Sequence, residues 1–86
     1  MMNAIKLFVK SEKQYQHTCA SLDSLGLRSF LLGGYKSTAN WGITVFVEGN
    51  TVGRYTDGHG TAADYSPNNV YTKRKEFIAA VQKYLV

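Results

Sequence analysis

The chain has 86 residues, 44% of them hydrophobic and 19% charged, with ten Lys and Arg against six Asp and Glu and a net charge of +4. That length predicts one domain, 1–86, which buries only ~60–65% of its unfolded surface and has little material left for a deep pocket. The composition excludes a disordered chain, the single cysteine, Cys19, excludes an internal disulfide and points to a reducing, cytoplasmic setting, and no stretch approaches the ~20 apolar residues of a membrane span.

Ala4 to Val9 places Ile5, Leu7 and Val9 on one side and Lys6 and Lys10 on the other. This is the period of a half-buried strand, with Phe8 adding an aromatic to the polar side. The run is too short, and too broken by Lys6, to read as a signal peptide. Ser11-Glu12-Lys13-Gln14 is a capping box, in which the Ser hydroxyl and the Gln side chain each satisfy a backbone N–H at a helix start. Tyr15, Cys19, Leu22 and Leu25 follow at helical spacing, and Gly26 suits the left-handed position that ends a helix. A helix is predicted over Glu12 to Leu25.

Leu27 to Lys36 is rich in apolar residues and reads as a strand, with Gly33-Gly34 inviting a bulge or bend. Trp41 to Glu48 is the clearest strand, with Trp41, Ile43, Val45 and Val47 on one face. Gly49-Asn50 is a two-residue hairpin signal, and Thr51 to Thr56 is the return strand. Asp57 to Asn69, with Gly58, Gly60 and Pro67, reads as a long irregular loop of the kind that is often functional. Thr72 can cap a final amphipathic helix whose apolar positions are Phe77, Ile78, Val81, Tyr84 and Leu85. The expected fold is therefore α+β: strand, helix, three antiparallel strands, helix, in two layers with both helices on one face of the sheet.

Little in the chain points to catalysis. Gly58-His59-Gly60-Thr61-Ala62-Ala63 matches the G-x-G-x-x-A form of the dinucleotide fingerprint, but it follows a short hairpin strand, Pro67 closes the next segment too soon for a helix, and no acidic residue lies about 20 residues on along a second strand. It reads as a glycine turn. His59, Asp57 and Asp64 share one loop without ligand spacing, and His17 and Cys19 point about 200° apart on a helix. No catalytic residue, metal or cofactor is expected, and His59, Asp57 and Asp64 are expected to be dispensable as chemical groups.

Two features point to binding. Lys73-Arg74-Lys75 falls in the first turn of the last helix, where cations oppose the helix dipole unless an anion sits with them. Tyr55, Tyr65 and Tyr71 lie in or beside the long loop, and tyrosine suits recognition surfaces. These six are the predicted partner-binding residues.

The segment Thr44-Val45-Phe46-Val47-Glu48-Gly49-Asn50-Thr51-Val52-Gly53, with Thr72-Lys73-Arg74 and Ala79 to Leu85, resembles the second half of a double-stranded-RNA-binding domain. The resemblance implies a helix, three antiparallel strands and a helix, with Lys73 and Arg74 on phosphates across a groove. In size and style the chain also resembles the small accessory proteins that phages and mobile elements encode against host machinery. Two functional expectations follow. One is a non-catalytic protein, with no membrane contact, that docks on an acidic protein or protein–nucleic-acid surface as an inhibitor or adaptor. The other is a binder of structured RNA.

Overall fold

The computed structural model describes residues 3–38, 41–48, 51–58 and 70–85. Its elements are β1 (Asn3–Phe8), α1 (Glu12–Ser24), β2 (Arg28–Ser29), β3 (Gly42–Glu48), β4 (Thr51–Gly58), β5 (Val70–Tyr71) and α2 (Arg74–Gln82). The expected α+β class holds, as two helices on a five-stranded sheet in the order β2-β4-β3-β1-β5.

The strand pairing differs from expectation. The antiparallel unit is β1-β3-β4, so the strand before α1 takes the place expected for the one after it. β2 is parallel to β4, and β5 adds a short parallel edge beside β1. The predicted strand Leu27–Lys36 shrinks to two residues. After Ser29 only the Phe30 N–H continues the pairing, donating to the Tyr55 carbonyl at 2.9 Å. Leu31 then turns to φ 53° and ends the extended run.

Local signals set both ends of α1. The Ser11 hydroxyl accepts from the Gln14 N–H at 3.1 Å, while the Gln14 side chain accepts from the Lys10 N–H at 2.8 Å, one residue earlier than a standard box. At the other end Gly26 has φ +86°, its N–H donates to the Asp23 carbonyl and the Leu27 N–H donates to that of Leu22. This pair of bonds is a Schellman ending, and the two leucines it brings together are both buried.

Register sets the core. Ile5 pairs with Val45 and Leu7 with Ile43, and Tyr55 and Asp57 stand opposite Val45 and Ile43 on β4. These positions share the face that receives Leu22 of α1 and Phe77 and Val81 of α2, and Ile78 packs half-buried against them. β4 carries a bulge: Phe46 pairs with Arg54 but Val47 with Val52, which leaves Gly53 as the extra residue. Glu48 and Thr51 are partners, and the Gly49-Asn50 turn between them lies outside the described residues.

Three expectations are corrected here. Lys6, expected in solvent, is only 1% exposed, its ammonium 5.3 Å from the Phe8 ring centre, because it sits mid-sheet between Thr44 and Val70. Asp57 belongs to β4 rather than to a loop. Lys73, not Thr72, is the N-cap of α2, and it makes no side-chain capping bond.

Candidate functional site

The most unusual surface lies just beyond β2. Phe30, Leu31 and Leu32 are 38%, 78% and 39% exposed, three consecutive large apolar side chains facing water. Leu31 is the one non-glycine residue with positive φ among the described residues. Left-handed backbone costs a leucine roughly 1–2 kcal/mol, and glycine or asparagine would relieve it. A sequence selected for stability alone would place neither this residue nor this polarity here.

The segment is nevertheless held firmly. On one side the Phe30 ring meets Phe46 edge-on at 6.3 Å, and the Arg54 guanidinium lies over it at 5.4 Å. On the other, the Asp57 carboxylate accepts from the backbone N–H groups of Gly33, at 2.9 and 3.1 Å, and of Gly34, at 3.0 Å. Gly34 sits at φ +92°, which lets two successive N–H groups converge on one carboxylate. Asp57 is itself fixed by the Tyr15 hydroxyl at 2.8 Å. Asp57 thus has a structural part to play: Asp57→Ala would remove the shared acceptor of two backbone donors and a phenol, and with it the tether beside the apolar tip.

The predicted site residues fall in three places. Tyr55 is corrected outright: it is fully buried, and its hydroxyl donates to Asp23 at 2.5 Å, so it cannot present a surface. The register that puts it opposite Val45 points it under α1. Tyr71 is half-buried in β5 with its ring edge-on to Phe77 at 6.5 Å, so it has only partial contact with solvent. Tyr65, like His59, Asp64 and most of the glycine motif, lies outside the described residues. In the basic turn Lys73 and Lys75 are exposed, but the half-buried Arg74 donates to the Ser21 hydroxyl of α1 at 3.2 Å and joins the two helices. The structure therefore does not gather the five described residues into one surface. The Phe30–Leu32 tip was missed because an apolar run of that length reads as a strand. The available signal was that it lacks alternation and ends in Gly-Gly.

Two tyrosines and the cysteine beside the core hold their protons more tightly than usual. Burial, then the bond to Asp57, pushes the Tyr15 phenol above its ordinary 10.0, and burial with the Asp23 bond does the same to Tyr55. Burial also raises the Cys19 thiol above 9.0, so it stays protonated at neutral pH. No group of three metal-capable side chains occurs among the described residues. No helix among them is long and apolar enough to cross a membrane.

The raised phenols set an alkaline limit on the fold. The unfolded chain ionises both near 10.0, whereas the folded chain holds its protons to higher pH. Their contribution is therefore complete below that value and lost as pH rises above it. Lys6 has the opposite sign: burial lowers it from 10.5, so its share of stability grows with pH up to that value. The urea midpoint should fall once pH passes the free-tyrosine value, and Tyr15→Phe with Tyr55→Phe should flatten that decline. An alkaline limb as steep in the double variant as in the parent would rule this origin out.

Comparison of the chain with protein-family models, with curated protein sequences and with solved structures found no match.

Proposed function

We propose that the chain is a small non-catalytic binding protein that docks on a larger macromolecular partner as an inhibitor or adaptor. The Phe30–Leu32 tip carries this reading. It exposes apolar area, bears backbone strain at Leu31 and is fixed in place by Asp57. Fixing a contact loop in advance lowers the entropy cost of association, which is the use to which such strain is put in a binder.

A second reading, binding of structured RNA, is supported by the exposed Lys73 and Lys75 at an uncapped helix start and by the resemblance of residues 44–86 to an RNA-binding domain.

One comparison separates them. The tagged chain, Leu31→Asn, and Lys73→Glu with Lys75→Glu are each recovered from the native cells, with and without nuclease. Asparagine tolerates the left-handed region, so Leu31→Asn should fold at least as well as the parent yet lose its partner. The charge-reversed variant should keep that partner, and nuclease should not matter. Retention by Leu31→Asn, with loss on nuclease treatment and charge reversal, would replace docking by RNA binding.

A further inference from the structure

We infer that the Asp57 carboxylate is a latch that sets the chain after β2 in one of two positions: displayed, with Leu31 in water, or stowed, with residues 30–32 prolonging β2 along β4. The latch goes beyond the docking reading and is tested without a partner.

The displayed position is the one observed. β2 and β4 run parallel with Arg28 against Arg54 and Ser29 against Tyr55, and the Phe30 N–H still reaches the Tyr55 carbonyl. Leu31 then leaves the ladder at φ 53°, although β4 continues through Asp57 to Gly58. Kept in register, the chain would set Leu31 against Asp57 and Leu32 against Gly58, with the Leu32 N–H on the Asp57 carbonyl. Among the described residues no strand lies along that part of β4 on this side. The segment holds no proline, and Phe30 and Tyr35 favour a strand. Leu31 itself gains most from stowing. Leaving the left-handed region removes its strain, and alternation through Leu27 and Ser29 turns it toward the face that holds the buried Leu27 and Tyr55.

Asp57 holds the chain off this edge. Its carboxylate accepts from the Gly33 N–H at 2.9 and 3.1 Å and from the Gly34 N–H at 3.0 Å, and the Tyr15 hydroxyl at 2.8 Å aims it. Extended backbone sends successive N–H groups to opposite sides, so two neighbouring amides meet one carboxylate only where the chain folds back, as Gly34 does at φ +92°. Latch and ladder therefore exclude each other. Bonds to a charged acceptor are stronger than the neutral ladder bonds they replace, which is how the displayed position tolerates the strain at Leu31. Two arrangements of one segment opposed in this way form a bistable element. A partner that grips Leu31 in its left-handed form draws the chain to the displayed position.

Amide hydrogen exchange of the full chain, read residue by residue by NMR, tests the latch. In the parent the Gly33 and Gly34 amides should exchange slowly and the Leu32 amide at the rate of an open chain. The variant Leu31→Ile with Asp57→Asn biases the chain to the stowed position, because a β-branched residue avoids left-handed backbone and a neutral amide is the weaker acceptor. Its Gly33 and Gly34 amides should exchange at least ~10-fold faster and its Leu32 amide at least ~10-fold slower, with new backbone contacts between positions 31 and 57. Leu31→Gly should do the reverse and slow Gly33 and Gly34 below the parent rate. If the double variant loses its fold, Leu31→Ile alone carries the same comparison with smaller changes. Faster exchange at all three amides would mean that the segment frays rather than stows, and unchanged exchange at Gly33 and Gly34 would mean that no latch sets its position. Either result overturns the proposal and leaves docking, which is judged by recovery of a partner, untouched.

Discussion

Gly42→Ala should be the most damaging small substitution in the chain. A Cβ at this position would stand 2.0 Å from the Leu7 carbonyl oxygen, 2.9 Å from the Leu7 carbonyl carbon and 3.1 Å from the Phe8 Cα. All three are backbone atoms of the neighbouring strand, so no side chain can swing aside. Relief requires β1 and β3 to separate where Phe8 pairs with Gly42 and where the Val9 N–H reaches the Trp41 carbonyl. Those strands carry Leu7 and Ile43, both fully buried, so separation would also open the core. The expected loss is on the order of 4 kcal/mol, the range reserved for core disruption and enforced strain. Gly53→Ala is the control. A Cβ there meets nothing within 4 Å and the residue has no positive φ, so its effect should stay within about 1 kcal/mol. Equal urea midpoints for the two alanine variants would show that the close approach of β1 and β3 does not exist.

Phe77→Ala should come next. Phe77 is fully buried where α2 crosses β1, in contact with the Tyr71 ring and within the cluster that includes Leu22 and Val45. Truncating a buried aromatic removes its transfer free energy and leaves a cavity, ~3–5 kcal/mol together. Domains of this size have only ~5–15 kcal/mol in all, so the melting temperature should fall by on the order of 20 °C. Phe77→Leu, which keeps most of the volume, should lose clearly less. A thermal melt in which Phe77→Ala matches the parent would place the residue at the surface and reverse the phase assigned to α2.

The two substitutions differ in what made them foreseeable. Phe77 announces itself: it recurs at helical spacing with Val81, and burial of that stripe follows from local periodicity alone. Gly42 looks ordinary in the sequence, because its constraint is the backbone of a strand 35 residues earlier. The same division runs through the candidate site. The Ser11 cap, the Gly26 ending and the alternation of Trp41 to Val47 were legible because each rests on residues a few positions apart. Tyr55 looked like a surface tyrosine until its pairing with Val45 turned it under α1, toward Asp23. Asp57 looked like a turn residue until β4 extended through Gly58 and brought its carboxylate against the amides of Gly33 and Gly34.

The two helices, the central hairpin, the packing face of the sheet and the cationic, cysteine-poor character of the chain were all legible in the order of the residues. Those depend on side-chain period, capping chemistry and composition. It took the assembled sheet to show that β1 rather than Leu27–Lys36 completes the antiparallel unit, that Arg74 is engaged by Ser21, and that Phe30–Leu32 stands out as a strained, pinned apolar tip. Each of those outcomes turns on pairings between distant segments, whose energies lie in strand register and in hydrogen bonds to backbone groups, and no local pattern encodes which distant backbone will arrive.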